Sequence, residues 1–513
     1  MNCIIENNEI KVSFPFSADT INKVKAAGLK WNPREKVWES PFSHHVINGL
    51  ASTIPDLREY LSCYVKPMDY NGWEPSSYLM VHQKEAARIA LEEARFGFFD
   101  DTGCGKTLEA IEIVKQKKLK TLVVCPLSII ENAWMRDVQN FAPEIKVVNL
   151  WGIFKKKKRV LDHDIGIINF EGFKNNLHKL TEYQMVMVDE SSKCKDARSQ
   201  ITKALISYTD KVPFVYLFSG TPAPNSELEY WSQFRIIDQS LLGRSYYSFR
   251  TKFCYASGFG GYTWKMRPDK KEEFLELIGK KSRVVRKEDV LDLPERTFNI
   301  RTVYLDSKER VAYEQMEADL MFEIEGQESV AANSAVKLLK LRQGTSGFYY
   351  DVEGKPIVVG HSKLNALKEL LEEIGNHQVI IWTHFHEEAD QIELYLLGQC
   401  VRVDGTVSSQ EVKNESVKRF MDGEVQYLIS HPASLGHGVT LTNCQYSVYF
   451  SLSHSHELNY QSKDRIYRKG QKNACTYYYL LADKTVDGTI LKCLEDKAST
   501  AEAVFDYLKR NKG

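Results

Sequence analysis

From about residue 78 to residue 225, unbroken apolar runs alternate with stretches whose apolar residues recur at helical spacing. The runs are RFGFF (95–99), TLVVCP (121–126), DIGIINF (164–170), QMVMVDE (184–190) and FVYLFSG (214–220). A strand with one wet face alternates apolar with polar residues. Continuous β-branched and aromatic runs need burial on both faces, which is the condition of a parallel sheet covered by helices. The same alternation returns in QVIIWTHF (378–385), QYLISHPAS (426–434), YSVYFSL (446–452) and TYYYLLA (476–482). The pattern therefore predicts an α/β chain with two lobes, each a parallel sheet flanked by helices. Between the lobes, residues 226–295 are rich in aromatics and charge and read as helical, as does KERVAYEQMEADLMFEIEG (308–326).

The first 65 residues read differently. IKVSFPF and KVWESPF are short strand patterns, and SADTINKVKAAG between them is amphipathic at Ile21, Val24 and Ala27, with Gly28 to end the helix. This predicts a small α+β domain over 1–65, joined by the Pro/Gly-bearing linker KPMDYNGWEPSS (66–77) to a first lobe over 78–295 and a second over 296–513. The length of 513 residues agrees with roughly three domains.

Composition changes the picture little. Lys plus Arg and Asp plus Glu are both 68, so net charge does not favour a polyanion partner, and any basic groove must come from local clustering. The longest charge run, Lys155-Lys156-Lys157-Lys158-Arg159, reads first as a solvated loop, with a DNA-backbone contact or a localisation signal as alternatives. The ten cysteines are scattered with no C-x-x-C, which fits a reducing compartment without structural zinc or a disulfide framework. MNCIIENNEIKVSF lacks a basic flank before an apolar segment, and no run of ~18 apolar residues exists. The expectation is a protein of the cytoplasm, or of the nucleus in a eukaryote, without membrane contact.

The chemistry starts at FFDDTGCGKTLEAI (98–111). Its end matches a phosphate-cradling loop, G-x-x-x-x-G-K-[ST], but Asp100 occupies the place of the leading glycine. Gly103 and Gly105 leave room for backbone N–H groups to turn toward an anion at the start of a helix. Lys106 would reach the terminal phosphates, and the Thr107 hydroxyl would ligate Mg²⁺. MVMVDESSK (185–193) ends an apolar strand in two acids. Asp189 is assigned to the metal with Thr107, and Glu190 to the attacking water. In HELNYQSKDRIYRKGQK (456–472), Arg465 and Arg468 are three apart on a predicted helix, so they share a face and suit the charge of a transferring phosphoryl group.

Together these motifs resemble the Swi/Snf-type branch of the superfamily-two helicases, the ATP-driven duplex-DNA translocases, over about residues 75–495. DDTGCGKT matches that branch's D-x-x-G-x-G-K-T loop, where an acid is normal at the position of Asp100. The resemblance implies two RecA-like lobes binding ATP and Mg²⁺. It implies that Gln83 in VHQKEAARIAL reads adenine, that Gly436 and Gly438 in SLGHGVTLTN line the cleft, and that Gln461, Arg465 and Arg468 are the sensor and arginine fingers. It also implies DNA contacts at Pro126, Leu127 and Ser128 in LVVCPLSIIENAW and at Thr383 and His384 in VIIWTHF. SGTPAPN (219–225), RVVRKEDVLDLPER (283–296), LRQGTSG (341–347) and HSKLNALKELL (361–371) follow in the branch's order. DESS departs from the usual DEAH or DEGH, with Ser192 in the histidine's place.

FPF (14–16), KWNP (30–33) and KVWESPF (36–42) are similar, more loosely, to the HARP domain of annealing helicases. That implies recognition of branched DNA, with Trp31 or Trp38 stacking on a base and Lys30, Arg34 and Lys36 at phosphates. The strand pattern itself puts Trp38 in the small core. The expected activity is that of a DNA-dependent ATPase, a monomer away from DNA, that moves along duplex and remodels forks by annealing, regression or branch migration. The alternatives are a strand-separating DNA or RNA helicase and a non-catalytic scaffold that binds DNA structures.

Overall fold

The computed structural model describes residues 2–6, 9–15, 17–41, 50, 73–257, 263–325, 330–407, 409–435 and 439–510. The predicted end of the small domain and most of its linker, residues 51–72, lie outside the described residues. Two compact units are formed, Met1–Val290 with Ala501–Gly513, and Leu291–Thr500. Among the described residues no helix is long and apolar enough to cross a membrane.

In the first unit the N-terminal module is an antiparallel sheet of β1 (Asn2–Glu6), β2 (Glu9–Ser13), β3 (Lys30–Asn32) and β4 (Val37–Pro41), in the order β1-β2-β4-β3. The helix Ala18–Ala26 begins where Ser17 Oγ accepts from the Thr20 N–H and ends ahead of Gly28 at φ +97°, a left-handed conformation that suits glycine. Arg244 donates to the Ala27 carbonyl at 3.3 Å and ties this helix end to the larger sheet's domain. The buried core is Ile10, Val12, Val24, Ala27 and Leu29. Trp38, expected inside, is only half-buried. It faces the same way as Val12, its partner across the β2–β4 pair, but a single nine-residue helix does not cover four strands. Trp38 and its cross-strand partner Trp31 are left at the uncovered side, ring centroids 5.6 Å apart.

The main sheet of this unit is all parallel. Its strands are β5 (Arg95–Phe98), β6 (Thr121–Cys125), β7 (Val147–Asn149), β8 (Ile165–Asn169), β9 (Met185–Asp189) and β10 (Phe214–Phe218). Residues 226–295 are not wholly helical. The helices Tyr230–Ile237, Tyr246–Phe253 and Lys271–Gly279 are interrupted by the hairpin β11 (Cys254–Ser257) and β12 (Thr263–Met266). A short strand, β13 (Ser282–Arg283), then joins the sheet beside β5. The order is β13-β5-β10-β9-β6-β8-β7. The unbroken apolar runs are explained by alternation between two cores. Leu122, Val124, Val186, Val188, Val215 and Leu217 pack on one face, and Val123, Cys125, Met185, Met187, Tyr216 and Phe218 on the other.

The second unit repeats the plan. Its strands β14 (Arg296–Val303), β17 (Val379–Trp382), β18 (Cys400–Val403), β19 (Tyr427–Ser430), β20 (Tyr446–Tyr449) and β21 (Cys475–Ala482) form a six-stranded parallel sheet, β14-β21-β20-β17-β19-β18. A separate hairpin pairs β15 (Phe348–Tyr350) with β16 (Pro356–Val358). Here too one strand feeds two cores: Ile380 and Trp382 on one face of β17, Val379 and Ile381 on the other. The helix expected from residue 308 spans Ser307–Glu325.

Candidate active site

In a parallel sheet the loops after the strands gather at one edge. In the first unit this brings together the loop after β5, the acids after β9, Ser219-Gly220 after β10 and Pro126-Leu127-Ser128 after β6. Leu127 is exposed and its two neighbours half-buried.

Gly103 (φ +89°) and Gly105 (φ +84°) bend the first loop into a bowl that ends at the helix Lys106–Lys117. Lys106 Nζ turns back into the bowl and donates to the carbonyls of Asp100 and Asp101 at 2.7 and 3.0 Å. The Thr102 hydroxyl is buried there with no hydrogen-bond partner among the described residues. Gln83 lies beneath the bowl. Its Oε1 accepts from the Met80 N–H at 2.9 Å and its Nε2 donates to the Cys104 carbonyl at 3.0 Å, so both ends of the amide brace the loop. A Cβ built on Gly105 would stand 2.2 Å from Gln83 Nε2, so glycine is required there for space as well as for φ.

Asp100, the residue in place of the leading glycine, is fully buried and ion-paired with Arg283 of β13. The same guanidinium reaches Glu109 at 3.2 Å and donates to the His82 carbonyl at 2.9 Å. Burial, and then Asp100, push the Glu109 carboxyl well above the usual range, with Arg283 opposing them. Backbone bonds Phe99 N–H to Arg283 O and Asp101 N–H to Val285 O, both 2.9 Å, run the RVVRKEDV segment alongside the loop. Arg283 is 183 positions from Asp100 and was not among the residues singled out from the sequence.

Asp189 closes β9 and is nearly buried. Its carboxylate accepts from the Trp134 indole N–H at 2.9 Å and from the Glu190 N–H at 3.0 Å. Burial and the adjacent Glu190 charge raise its pKa, while Trp134 and the nearby Lys106 ammonium hold it down. Trp134 is a second residue that sequence reasoning passed over. It fixes the carboxylate's orientation from 55 positions away. Glu190 has φ +55°, a conformation that costs a non-glycine residue about 1–3 kcal/mol and that the surrounding contacts must hold. Ser191 Oγ donates to Gln233 Oε1 at 2.7 Å, and the Gln233 amide donates to the Pro222 carbonyl, so DESS and SGTP are joined through one side chain. Gly220 packs against Thr102 so closely that a Cβ would lie 2.8 Å from its Cγ2.

A bowl of turned backbone with a lysine inside it, a free hydroxyl and a strand-end carboxylate on the same edge fits a triphosphate with Mg²⁺. Among the described residues no cluster of three or more His, Cys, Asp or Glu exists to cage a metal.

In the second unit the helix expected under both arginines stops early, at His456–Lys463, which corrects their placement. The Lys463 carbonyl accepts from Tyr477 Oη at 2.7 Å and the Arg465 carbonyl from the Leu441 N–H at 2.8 Å, so those acceptors leave the helical ladder. Arg465 and Arg468 sit in the following turn. Arg465 is buried and donates to the Val439 carbonyl at 3.2 Å, and Arg468 donates to the Asp464 carbonyl at 2.9 Å and to Thr440 Oγ1 at 3.3 Å. Gln461 is buried with its Nε2 unpartnered among the described residues. Gly436 and Gly438 lie outside the described residues. Thr383 is buried after β17. The ring of the neighbouring His384 meets His431 edge-on at 5.1 Å. Burial, with Arg342 and His431 adding to it, holds the His384 pKa well below the usual histidine value.

In the N-terminal module Lys30, Arg34 and Lys36 are exposed. Trp31 and Trp38 line a recess of about 680 Å³ with Phe14, Ile21, Lys25 and Lys30.

Residues 82–346, more than half of the chain, match the SNF2-related domain, and residues 362–470 match the helicase conserved C-terminal domain. A Caenorhabditis elegans protein, the homolog of SWI/SNF-related matrix-associated actin-dependent regulator of chromatin subfamily A-like protein 1, is 25% identical over 96% of this chain and 74% of its own length. An uncharacterized ATP-dependent helicase of Mycoplasma genitalium is 26% identical over 82% of this chain and 41% of its own length. A putative protein of Acyrthosiphon pisum secondary endosymbiont phage 1 is 23% identical over 82% of this chain and 96% of its own. This chain thus spans most of the first and third relatives but under half of the second.

Proposed function

Because this chain belongs to the SNF2-related family of ATP-dependent helicases, we propose that it hydrolyses ATP when bound to duplex DNA, moves along that duplex, and so remodels branched DNA by annealing, fork regression or branch migration. The observation that carries this reading is the convergence of Lys106, Asp189 and Glu190 on one edge of the first unit's sheet.

Gly103, Gly105, Lys106 and Thr107 hold the phosphates, with Gln83, Gly436, Gly438 and Gln461 as further nucleotide contacts. Thr107 and Asp189 would hold Mg²⁺, which would supply neutralising charge to the phosphates. Glu190 orients water, and hydrolysis also draws on Arg465 and Arg468 of the second unit. DNA runs over Pro126, Leu127, Ser128, Thr383 and His384. Phosphate contacts dominate such binding, so it is insensitive to sequence and weakens with salt.

The N-terminal module supplies the preference for branches. Support comes from the open Trp31–Trp38 recess beside Lys30 and Lys25, a shape and charge that suit an unstacked base next to a phosphate. A further support is the nematode relative, whose alignment over 96% of this chain takes in most of the first 65 residues.

The test is the ATPase rate with single-stranded, duplex, forked and four-way-junction DNA, for the wild type and Trp31→Ala. Junctions and forks are expected to outdo plain duplex several-fold. Trp31→Ala removes that advantage and weakens fork binding by about 1–3 kcal/mol, the worth of one stacked base, while the plain-duplex rate stays unchanged. A rate on single strands equal to that on duplex contradicts the reading in favour of a strand-separating helicase. A rate that ignores DNA contradicts it in favour of a scaffold.

A further inference from the structure

The end strands of the three larger sheets differ in length. β13 has two residues, β3 and β7 three each, β18 four and β1 five, but β14 has eight. It pairs with β21 along its whole length, and among the described residues nothing pairs with its other side. All of its residues but Arg301 and Val303 are exposed, and two of the exposed ones are large and apolar, Phe298 at 47% and Ile300 at 58%. An open row of N–H and C=O groups is a template for another strand, so long edges are ordinarily bulged, covered, or broken by proline or lysine. RTFNIRTV contains neither residue.

The direction of its backbone groups follows from two bonds. The Cys475 N–H donates to the Glu295 carbonyl and the Asp483 N–H to the Val303 carbonyl, at 2.9 and 2.8 Å. In a parallel pair alternate residues face the neighbour, so the odd positions of β14 serve β21 and the even ones turn outward. Phe298, Ile300 and Thr302 thus point their N–H and C=O groups along the open edge. The side chains alternate as well. Val303 lies in the core with Leu364 and Leu367 of the helix Ser362–Ile374, and Arg301 reaches Glu373 and Glu369 of that helix at 2.7 and 3.4 Å. Phe298 and Ile300 stand on the opposite face, where Phe298 stacks on Tyr477 with ring centroids 5.0 Å apart.

This strand is complementary to itself. Laid antiparallel on a second copy about a two-fold axis through Asn299, it sets Phe298 against the other chain's Ile300, and Arg296 against Thr302. The outward backbone groups then meet as hydrogen-bonded pairs. Both Phe298 and both Ile300 side chains form one apolar cluster across the axis. On the other face Asn299 meets Asn299, and Thr297 meets Arg301, whose charge Glu373 already holds. No like charges stand directly opposite one another. The two Arg296 residues are six steps apart along the strands, ~20 Å at about 3.3 Å each, which is beyond the screening length at physiological salt.

We propose that β14 is a self-association edge, through which two copies of this chain join antiparallel and make their second-unit sheets continuous. The occupant is a second copy because one register satisfies the backbone, the apolar side chains and the charges of both strands at once. A single strand pair buries less than the ~1,200 Å² at the low end of stable interfaces, so the dimer is weak and follows mass action. Dilute protein stays monomeric, in agreement with the expected monomer, and copies crowded onto the same DNA associate.

The test uses the full chain free of nucleic acid. Sedimentation velocity from about 1 to about 100 µM is expected to show a shift toward dimer. Ile300→Lys, which sets an ammonium against Phe298, is expected to weaken that association at least about tenfold at an unchanged melting temperature. Oxidation reads the register. N299C is expected to bridge to itself, because facing residues that share no hydrogen bonds have Cα atoms about 4.5 Å apart, within disulfide reach. T297C, exposed on the same face, lies four steps (~13 Å) from its own counterpart and is expected to bridge no more than wild type, whose cysteines set the background. A monomer throughout the range with no N299C bridge overturns the proposal. So does a dimer in which N299C and T297C bridge alike, or one that Ile300→Lys leaves intact. Were Ile300→Lys to lower the melting temperature, the cross-link pattern alone would decide. N299C that forms mixed disulfides with a cysteine-bearing apolar strand peptide, and none with itself, assigns the edge to a foreign strand and overturns the second copy as its occupant.

Discussion

Replacing Arg283 by alanine is expected to destabilise the first unit by about 3–5 kcal/mol, the usual result of removing one partner from a buried charge cluster. The guanidinium stands between Asp100 and Glu109, both wholly buried, and also satisfies the His82 carbonyl. Without it two carboxyls share a dry pocket and must be protonated or drag water in. Arg283→Lys is expected to recover little, because one ammonium does not reproduce the fork that reaches three acceptors.

The loss also depends on pH. Glu109 already titrates well above its unfolded value of 4.5. Its contribution is therefore fully present below that value and is lost as pH rises through the higher, folded value. Removing Arg283 moves the folded value further up. The variant's deficit therefore widens as pH rises through the wild-type folded value, where the wild-type native state gives up the proton and the variant's native state still holds it. Calorimetry of both proteins across pH checks this, following the first unit's transition separately. A deficit that stays constant with pH contradicts the account of the cluster.

The second large effect is kinetic. Arg468→Ala, and Arg465→Lys, are expected to lower DNA-stimulated hydrolysis about 10³-fold, the scale of a lost arginine finger. Nucleotide affinity should stay near the wild-type value. Arg465→Ala is the poorer probe, since that buried side chain also serves the Val439 carbonyl and its loss unsettles the turn. Stopped-flow binding of a fluorescent ATP analogue beside steady-state hydrolysis separates the two quantities. Equal losses in affinity and rate would mean that the arginines bind the nucleotide in its ground state and do nothing special for phosphoryl transfer.

The strands read from the sequence and the strands missed differ in one physical respect. RFGFF, TLVVCP, DIGIINF, QMVMVDE and FVYLFSG all became interior strands of the first unit's sheet, where both faces and both edges are occupied. The missed β13 and β7 are the two ends of that sheet, β14 and β18 the two ends of the second, and β1 and β3 the two ends of the N-terminal one. An end strand has one neighbour and less burial, so its residues are under weaker demand to be apolar. β14 reads RTFNIRTV and is exposed along most of its length. The hairpins β11–β12 and β15–β16, sheets made only of ends, went unread for the same reason.

The chemistry divides along similar lines. Lys106, Asp189 and Glu190 are proposed from local signals, glycine spacing and a strand-end acid pair. Arg283 and Trp134 were not legible, because each acts on a partner that only the folded sheet brings near. Arg283 had a trace in the sequence. A carboxylate at Asp100, next to a phosphate loop, calls for a buried cation from elsewhere in the chain. Trp38 failed in the opposite sense. Its strand alternation pointed inward, but the sheet is wider than the one helix laid across it.

Movement along intact duplex is the central claim, and displacement of a third strand reads it directly. A labelled triplex-forming strand is bound ahead of the protein on a long duplex, beside a tailed duplex with a labelled strand of equal length. The account predicts that wild-type protein strips the third strand when ATP is supplied, that Lys106→Ala does not, and that the tailed duplex stays paired throughout. Release of the strand from the tailed duplex with the triplex left in place would contradict it.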